Sequence, residues 1–220
     1  MIQAVIFDLD GVIVSTDECH YQAWKALADR EGIPFSRQEN HRLRGVSRME
    51  SLAIVLEKAK RSYTDDEKNN MAAYKNDLYV SLINELTPAD LLPGAQSAVL
   101  GLRKMGIKTA IGSSSKNAPA ILEHLEITTL FDAVADGNSI KRSKPAPDVF
   151  LLAAKMLNIP PEYCLVVEDA EAGVDAAINA GMMCLGLGAA QKHPRTILGA
   201  KDLSVLDLPA WVALRNTEIN

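Results

Sequence analysis

The stretch Val5-Ile6-Phe7-Asp8-Leu9-Asp10-Gly11 decides the fold. Val, Ile and Phe form strands, and a short unbroken apolar run is the signature of a strand covered on both faces of a sheet. Acidic residues at the end of such a run lie at the carboxyl edge of the sheet, where open α/β folds bind their ligands. Residues two apart in a strand share a face, so Asp8 and Asp10 can point into one pocket while Leu9 turns back into the core. Two neighbouring carboxylates repel unless a cation or a shared proton neutralises them.

Working outward, residues 3–7 read as the first strand, and from Thr16 to about Thr87 only helical periodicity follows. Tyr21, Trp24, Leu27 and Ala28 mark one helix face, closed by Gly32 and Pro34. Capping boxes pair Ser36 with Glu39, Ser47 with Glu50 and Thr64 with Glu67. Met49, Leu52 and Leu56 stripe the second of these helices; Met71, Tyr74, Leu78 and Leu82 stripe the third. After Pro88 strands and helices alternate. A helix near 95–105 stops at Gly106, a strand runs Lys108–Gly112, and a helix begins near Asn117 with Pro119 in its first turn. Strands near 132–135, 164–168 and 183–187 are separated by helices at 148–157 and 171–180. The alternation predicts a parallel sheet with helices on both faces. The boundaries expected are a core of residues 1–15 and 88–220 and a helical cap of residues 16–87, placed over the strand ends; the sequence from about 189 is weakly patterned.

Composition narrows the function. The chain has 220 residues, 48% hydrophobic and 23% charged, as in ordinary globular proteins. Its formal charge of −5 offers no basic footprint for nucleic acid or an anionic membrane, and 5% aromatics give few platforms for base stacking. No run reaches the ~18 apolar residues of a membrane span. Cys19, Cys164 and Cys184 cannot all pair, so free thiols and a cytoplasmic location are expected. Nothing marks an exposed apolar patch, and a monomer is the default.

Four separated segments bring chemistry to strand ends. Asp8 and Asp10 end the first strand; Ser113-Ser114-Ser115-Lys116-Asn117 follows the strand Lys108–Gly112; Lys144-Pro145 precedes a helix; Glu168-Asp169 ends Leu165-Val166-Val167. Parallel strands point the same way, so these ends can meet. Asp8, Asp10, Glu168 and Asp169 around the single Lys144 require a divalent cation, and hard oxygen ligands favour Mg²⁺. Such an ion completes its shell with water and a substrate phosphate, and a carboxylate can itself attack phosphorus.

These motifs, in this order over essentially the full length, resemble the haloacid-dehalogenase-like (HAD) phosphotransferases with a helical cap after the first motif. The resemblance implies a Rossmann-like three-layer α/β core with a parallel sheet and a small all-helical cap. It implies Asp8 as nucleophile, Asp10 as general acid/base, and Ser113 and Lys144 as ligands of the transferring phosphoryl group. Mg²⁺ would be held by Asp8, Glu168, Asp169 and the main-chain carbonyl of Asp10. A dehalogenase proper would lack the second aspartate.

Within that superfamily, Asp8-Leu-Asp-Gly-Val-Ile, Thr16, His20, Gly45-Val46-Ser47-Arg48, Ser113-x-Ser115-Lys116-Asn117 and Ser143-Lys-Pro-Ala-Pro-Asp148 resemble the β-phosphoglucomutase family. Members interconvert β-glucose 1-phosphate and glucose 6-phosphate through glucose 1,6-bisphosphate. The resemblance implies sugar-phosphate contacts from Gly45, Val46, Arg48, Ser51 and Lys75 on the cap and from Ser115, Lys116 and Asn117 on the core. It places Thr16 at the hinge and His20 beside the acid/base. Taken alone, His20 and Lys75 would read as solvated helix positions, and Arg48 sits in a helix's first turn, where the dipole disfavours a cation. The alternative on the same residues is a Mg²⁺-dependent sugar-phosphate phosphatase. The chain departs from the family pattern at Ser15, commonly Asp; at Arg44, often Lys; and at Ser114, in a slot often Ala or Val.

Overall fold

The computed structural model describes residues 1–43 and 46–217. Among them β1 (Ala4–Phe7) leads into four helices, α1 (Asp17–Arg30), α2 (Arg37–His41), α3 (Arg48–Leu56) and α4 (Asp65–Ile83). There follow α5 (Ala95–Lys104), β2 (Lys108–Gly112), α6 (Ala118–His124), β3 (Ala133–Ala135), α7 (Asp148–Leu157), β4 (Cys164–Glu168), α8 (Glu171–Asn179) and β5 (Met183–Leu187). The weakly patterned end carries β6 (Leu198–Ala200) and α9 (Leu208–Thr217).

All strand pairs are parallel, in the order β3-β2-β1-β4-β5-β6, so β1 lies between β2 and β4. The period of two sorts β1 between two layers. Val5 and Phe7 pack with Ala98, Val99 and Leu102 of α5, Ile121 and Leu122 of α6, and Leu208 and Val212 of α9. Ala4 and Ile6 pack on the other side with Phe150, Ala153 and Ala154 of α7 and Val174 and Ala177 of α8. Alanines bring α7 and α8 close to the sheet. Gly112 belongs to the same fit, because a Cβ there would lie 2.7 Å from the Phe150 ring.

The segment between β1 and α5 has a hydrophobic cluster of its own, built on Trp24, Leu27, Ile33, Phe35, Leu52, Val55 and Met71. Its helices begin where the capping boxes lie: the side chains of Glu39, Glu50 and Glu67 each accept from the backbone N–H of the paired Ser36, Ser47 or Thr64 at 2.8 Å. Two stripes differ from expectation. Met49 is 45% exposed, while α3 buries Leu52 of the expected stripe together with Ser51 and Val55. The buried face of α4 is Met71, Ala72, Lys75, Tyr79 and Ile83 rather than Tyr74, Leu78 and Leu82. One helix serves two cores, Met71 and Ala72 packing into the cap cluster and Tyr79 and Ile83 into the sheet's cluster. The cysteines are free, and no helix among the described residues is long and apolar enough to cross a membrane.

Candidate active site

Register brings the motifs together. Phe7 stands opposite Ile111 of β2 and Val167 of β4. One residue further along β1, the Asp8 N–H donates to the Val167 carbonyl at 2.9 Å, which sets Asp8 beside Glu168. Ser113 leaves β2 in the same layer, its N–H bonded to the Ala135 carbonyl at 3.0 Å. Lys144, 2% exposed, crosses beneath them. Its Nζ lies 2.5 Å from Asp8 Oδ1 and 2.8 Å from Glu168 Oε2. Burial alone would drive the proton from this amine, but the two carboxylates outweigh it and hold Lys144 as an ammonium. Burial and the neighbouring Asp8 charge push Glu168 upward, against the pull of Lys144. The other Glu168 oxygen accepts the N–H groups of Asp169 and Ala170 at 3.1 Å each.

Carboxylate oxygens of Asp8, Glu168 and Asp169 all lie within 4.8 Å of one another. One ammonium cannot neutralise three carboxylates, and the donors are hard oxygens, so the cluster fits a hard divalent cation. The backbone leaves room for it. Gly173 passes so close that a Cβ would fall 1.9 Å from Glu168 Oε2, and Gly11, at φ +85°, abuts Asp169 Oδ2 at 2.2 Å in the same sense. The Asp10 carboxylate stands apart from this cluster. Its Oδ1 accepts the Thr16 N–H at 2.7 Å and its Oδ2 the Thr16 hydroxyl. The Asp10 carboxylate is thus not among the oxygens of the Asp8, Glu168 and Asp169 cluster. Burial lifts the Asp10 carboxyl to about 6; the Thr16 bonds oppose that rise, and the Asp8 charge adds to it.

Beside Asp10 the first turn of α1 meets the middle of α4. His20 Nε2 lies 3.8 Å from Asp10 Oδ2, and its Nδ1 lies 2.9 Å from Lys75 Nζ. As an ammonium Lys75 can only donate, which puts the imidazole proton on Nε2, facing Asp10. Burial, with the Lys75 and Arg48 charges, keeps His20 neutral well below the usual range; burial and Arg48 lower Lys75 to about 7. Both residues are therefore inward-facing, against the reading of either alone as a solvated position.

A cavity of about 620 Å³ lies between the strand ends and the helical segment. Its floor includes Asp8, Asp10, Ser113, Lys144, Glu168 and Asp169; its roof includes His20, Val46, Arg48, Ser51 and Lys75; Ser115, Lys116 and Asn117 line its side. Ser113 Oγ accepts the Ser115 N–H at 3.1 Å and Ser115 Oγ the Asn117 N–H at 3.2 Å, leaving both hydroxyl protons to donate. Arg48 is half-buried, and burial lowers its proton affinity. Asn117 Nδ2 donates to Asn76 Oδ1 of α4 at 3.2 Å, a bond from sheet side to roof. Thr16 is fully buried and absent from the cavity wall, and its hydroxyl and N–H both donate to Asp10. Gly45 and Arg44 lie outside the described residues. Trp24, Asn40, Asn76, Tyr79 and Lys141 also line the cavity, a role no motif marked. For Tyr79 the i, i+4 spacing from Lys75 was the available signal.

Comparison with known proteins agrees with this geometry. The chain is 47% identical over 192 residues to the β-phosphoglucomutase of Bacillus subtilis (strain 168), covering 86% of this chain and 85% of that one. It superposes on a crystal structure of β-phosphoglucomutase from Clostridium difficile with TM-score 0.93 and 42% identity, covering 100% and 99% of the two chains. It is also 34% identical to a fructose-1-phosphate phosphatase of Escherichia coli (strain K12), over 81% of this chain and 92% of that one. The haloacid dehalogenase-like hydrolase model matches residues 2–181, and the chain belongs to that family.

Proposed function

We propose that this chain is a Mg²⁺-dependent β-phosphoglucomutase, interconverting β-D-glucose 1-phosphate and β-D-glucose 6-phosphate through an aspartyl phosphate and glucose 1,6-bisphosphate. The observation that carries the reading is that one cavity is lined by Lys144, bonded to Asp8, and by further cations, Arg48 of α3 and Lys116 of the segment after β2. A mutase handles a phosphate at each end of the sugar, whereas a phosphatase of small esters needs only one such site.

An Asp8 carboxylate oxygen attacks phosphorus, and the bond from phosphorus to the sugar oxygen breaks. Asp10 supplies the proton that the departing oxygen takes up. In the reverse sense Asp10 removes a proton from the attacking sugar hydroxyl, which takes the phosphoryl group back from Asp8. A carboxyl lifted to about 6 suits both tasks near neutrality. Lys144 and the Ser113 hydroxyl balance charge on the transferring oxygens. Mg²⁺, held by Asp8, Glu168, Asp169 and the Asp10 carbonyl, would supply further electrostatic stabilisation of the phosphoryl group. Arg48, with Lys116 and Asn117, holds the distal phosphate, and Val46, Ser51 and Lys75 contact the sugar phosphate from the roof. The bisphosphate turns end for end beneath a cap formed by residues 16–87, whose closure limits transfer to water. A monomer in a reducing, cytoplasmic setting belongs to the same reading, and the free Cys19, Cys164 and Cys184 support that setting.

Incubation with β-glucose 1-phosphate, Mg²⁺ and a trace of glucose 1,6-bisphosphate tests the reading. Glucose 6-phosphate should accumulate without matching free phosphate. Free phosphate released in step with substrate loss would move the chain to the phosphatase class, which its 34% identity to the Escherichia coli enzyme keeps as the second reading.

A further inference from the structure

We propose that Tyr79 is a positioning residue for the Asp10 carboxylate, acting through the Thr16 hydroxyl and the His20 ring; this rests on the acid/base role given to Asp10. Tyr79 is 1% exposed on α4, four residues beyond Lys75 and three beyond Asn76, so all three share a face. Its O–H donates to Thr16 Oγ1 at 3.0 Å, and Thr16 Oγ1 donates in turn to Asp10 Oδ2. Because the phenol uses the Thr16 oxygen as its acceptor, the Thr16 proton is left for Asp10. Burial holds the phenol protonated far above neutrality, so the direction of this chain of donors does not change over the working range.

The ring of Tyr79 does a second job. It lies 4.2 Å from the His20 ring, tilted by 33°, with Lys75 Nζ 4.3 Å from its centroid. His20 Nε2 is the group facing Asp10 Oδ2. Tyr79 therefore touches both side chains that flank the carboxylate, one with its hydroxyl and one with its face. The hydrogen bond and the ring contacts of Tyr79 are made to Thr16, His20 and Lys75. Its influence should be confined to steps that need a proton at Asp10. It also couples Asp10 to the roof, because α4 carries Lys75 and, through Asn76, the bond to Asn117.

Tyr79→Phe keeps the ring and its volume and removes only the hydroxyl. Two reactions read the change. A sugar oxygen leaves phosphorus with help from a proton, while the acetate of acetyl phosphate leaves without one. Mutase turnover of β-glucose 1-phosphate should fall at least about 10-fold in kcat, with KM within about 3-fold, a part of the 10²–10⁴-fold that general acid–base catalysis contributes. The rate of Asp8 phosphorylation by acetyl phosphate, followed by quenched-flow mass spectrometry, should stay within about 2-fold. Equal losses in both reactions, or no loss in either, would overturn the proposal. Thr16→Val breaks the same chain in its middle and must show the same selective loss, including where Tyr79→Phe fails to fold. The double variant should be no slower than Thr16→Val alone, and additive losses would also overturn it. Asp10→Asn separates the levels. If it loses both reactions alike, the acid/base role fails and Tyr79 falls with it; a selective loss there without one in Tyr79→Phe removes Tyr79 alone.

Discussion

Ser114 Oγ is buried in the cavity wall without a hydrogen-bond partner, between two serines whose hydroxyls each accept a backbone N–H. The Ser114 backbone is pressed against Gly137, where a Cβ would come within 2.3 Å of the Ser114 carbonyl. A hydroxyl stripped of water and left unpaired is destabilising by roughly 1–3 kcal/mol, offset in part by its own packing. Ser114→Ala should therefore raise stability by about 1 kcal/mol in urea unfolding, with mutase turnover within 2-fold of the parent. A stability loss would show that the hydroxyl is satisfied in solution. At this scale the sequence was most readable where a side chain follows a buried strand. Asp8, Ser113 and Glu168 are each read from the apolar run before them and brought together by register. Thr16 was not, because its use is local: six residues from Asp10, it closes a turn whose hydrogen bonds leave no trace in periodicity.

Among the elements, α4 shows best why pattern alone fell short. Apolar residues lie on several of its sides, since it contributes to the cap cluster, the cavity and the main core in turn. A stripe of Met71, Tyr74, Leu78 and Leu82 was a fair reading of the letters, and Leu78 and Leu82 do pack at the edge of the main core. The face buried most deeply instead includes Lys75, an expensive residue to enclose, 2% exposed over the Trp24 and Tyr79 rings. The end of the chain was opaque for another reason. β6 is three residues with a central glycine, and α9 seats Leu208 and Val212 in the main core with Pro209 against Gly101 of α5, a fit no spacing announces. Lys75 gives a prediction with a definite sign. Burial lowers its folded value from 10.5 to about 7, so between those limits the unfolded chain binds the proton more strongly. This site's contribution to stability thus rises with pH from about 7 to 10.5, and its penalty is complete below 7. Lys75→Met should raise the unfolding midpoint at pH 7, by about 2–4 °C for each 1 kcal/mol relieved, and flatten that rise while lowering mutase kcat/KM. An unchanged pH slope would mean that the amine is solvated in the folded protein.

In the whole molecule, the sheet works as a device for concentrating like charge. Its strand order places β1 between β2 and β4, so that the residues following Phe7, Ile111 and Val167 share one layer beneath the helical segment. Folding thereby forces Asp8, Glu168 and Asp169 together beside Lys144, a repulsion the unfolded chain does not carry. Anything that neutralises the cluster in the native state alone must stabilise the entire fold. Mg²⁺ at 100 times its dissociation constant should add about 2.7 kcal/mol, or roughly 5–11 °C in unfolding midpoint for a domain of this size. Chelation should remove both that increment and mutase activity. The sharper measurement uses Gly173→Ala, whose added Cβ would fall 1.9 Å from Glu168 Oε2 and must displace that carboxylate. Displacing one ligand should weaken the metal about 10–100-fold, as loss of an orienting partner does, and shift the Mg²⁺ titration of the midpoint by the same factor. A Mg²⁺ increment that survives in Gly173→Ala at the parent's concentration dependence would place the ion somewhere other than the Asp8–Glu168–Asp169 cluster.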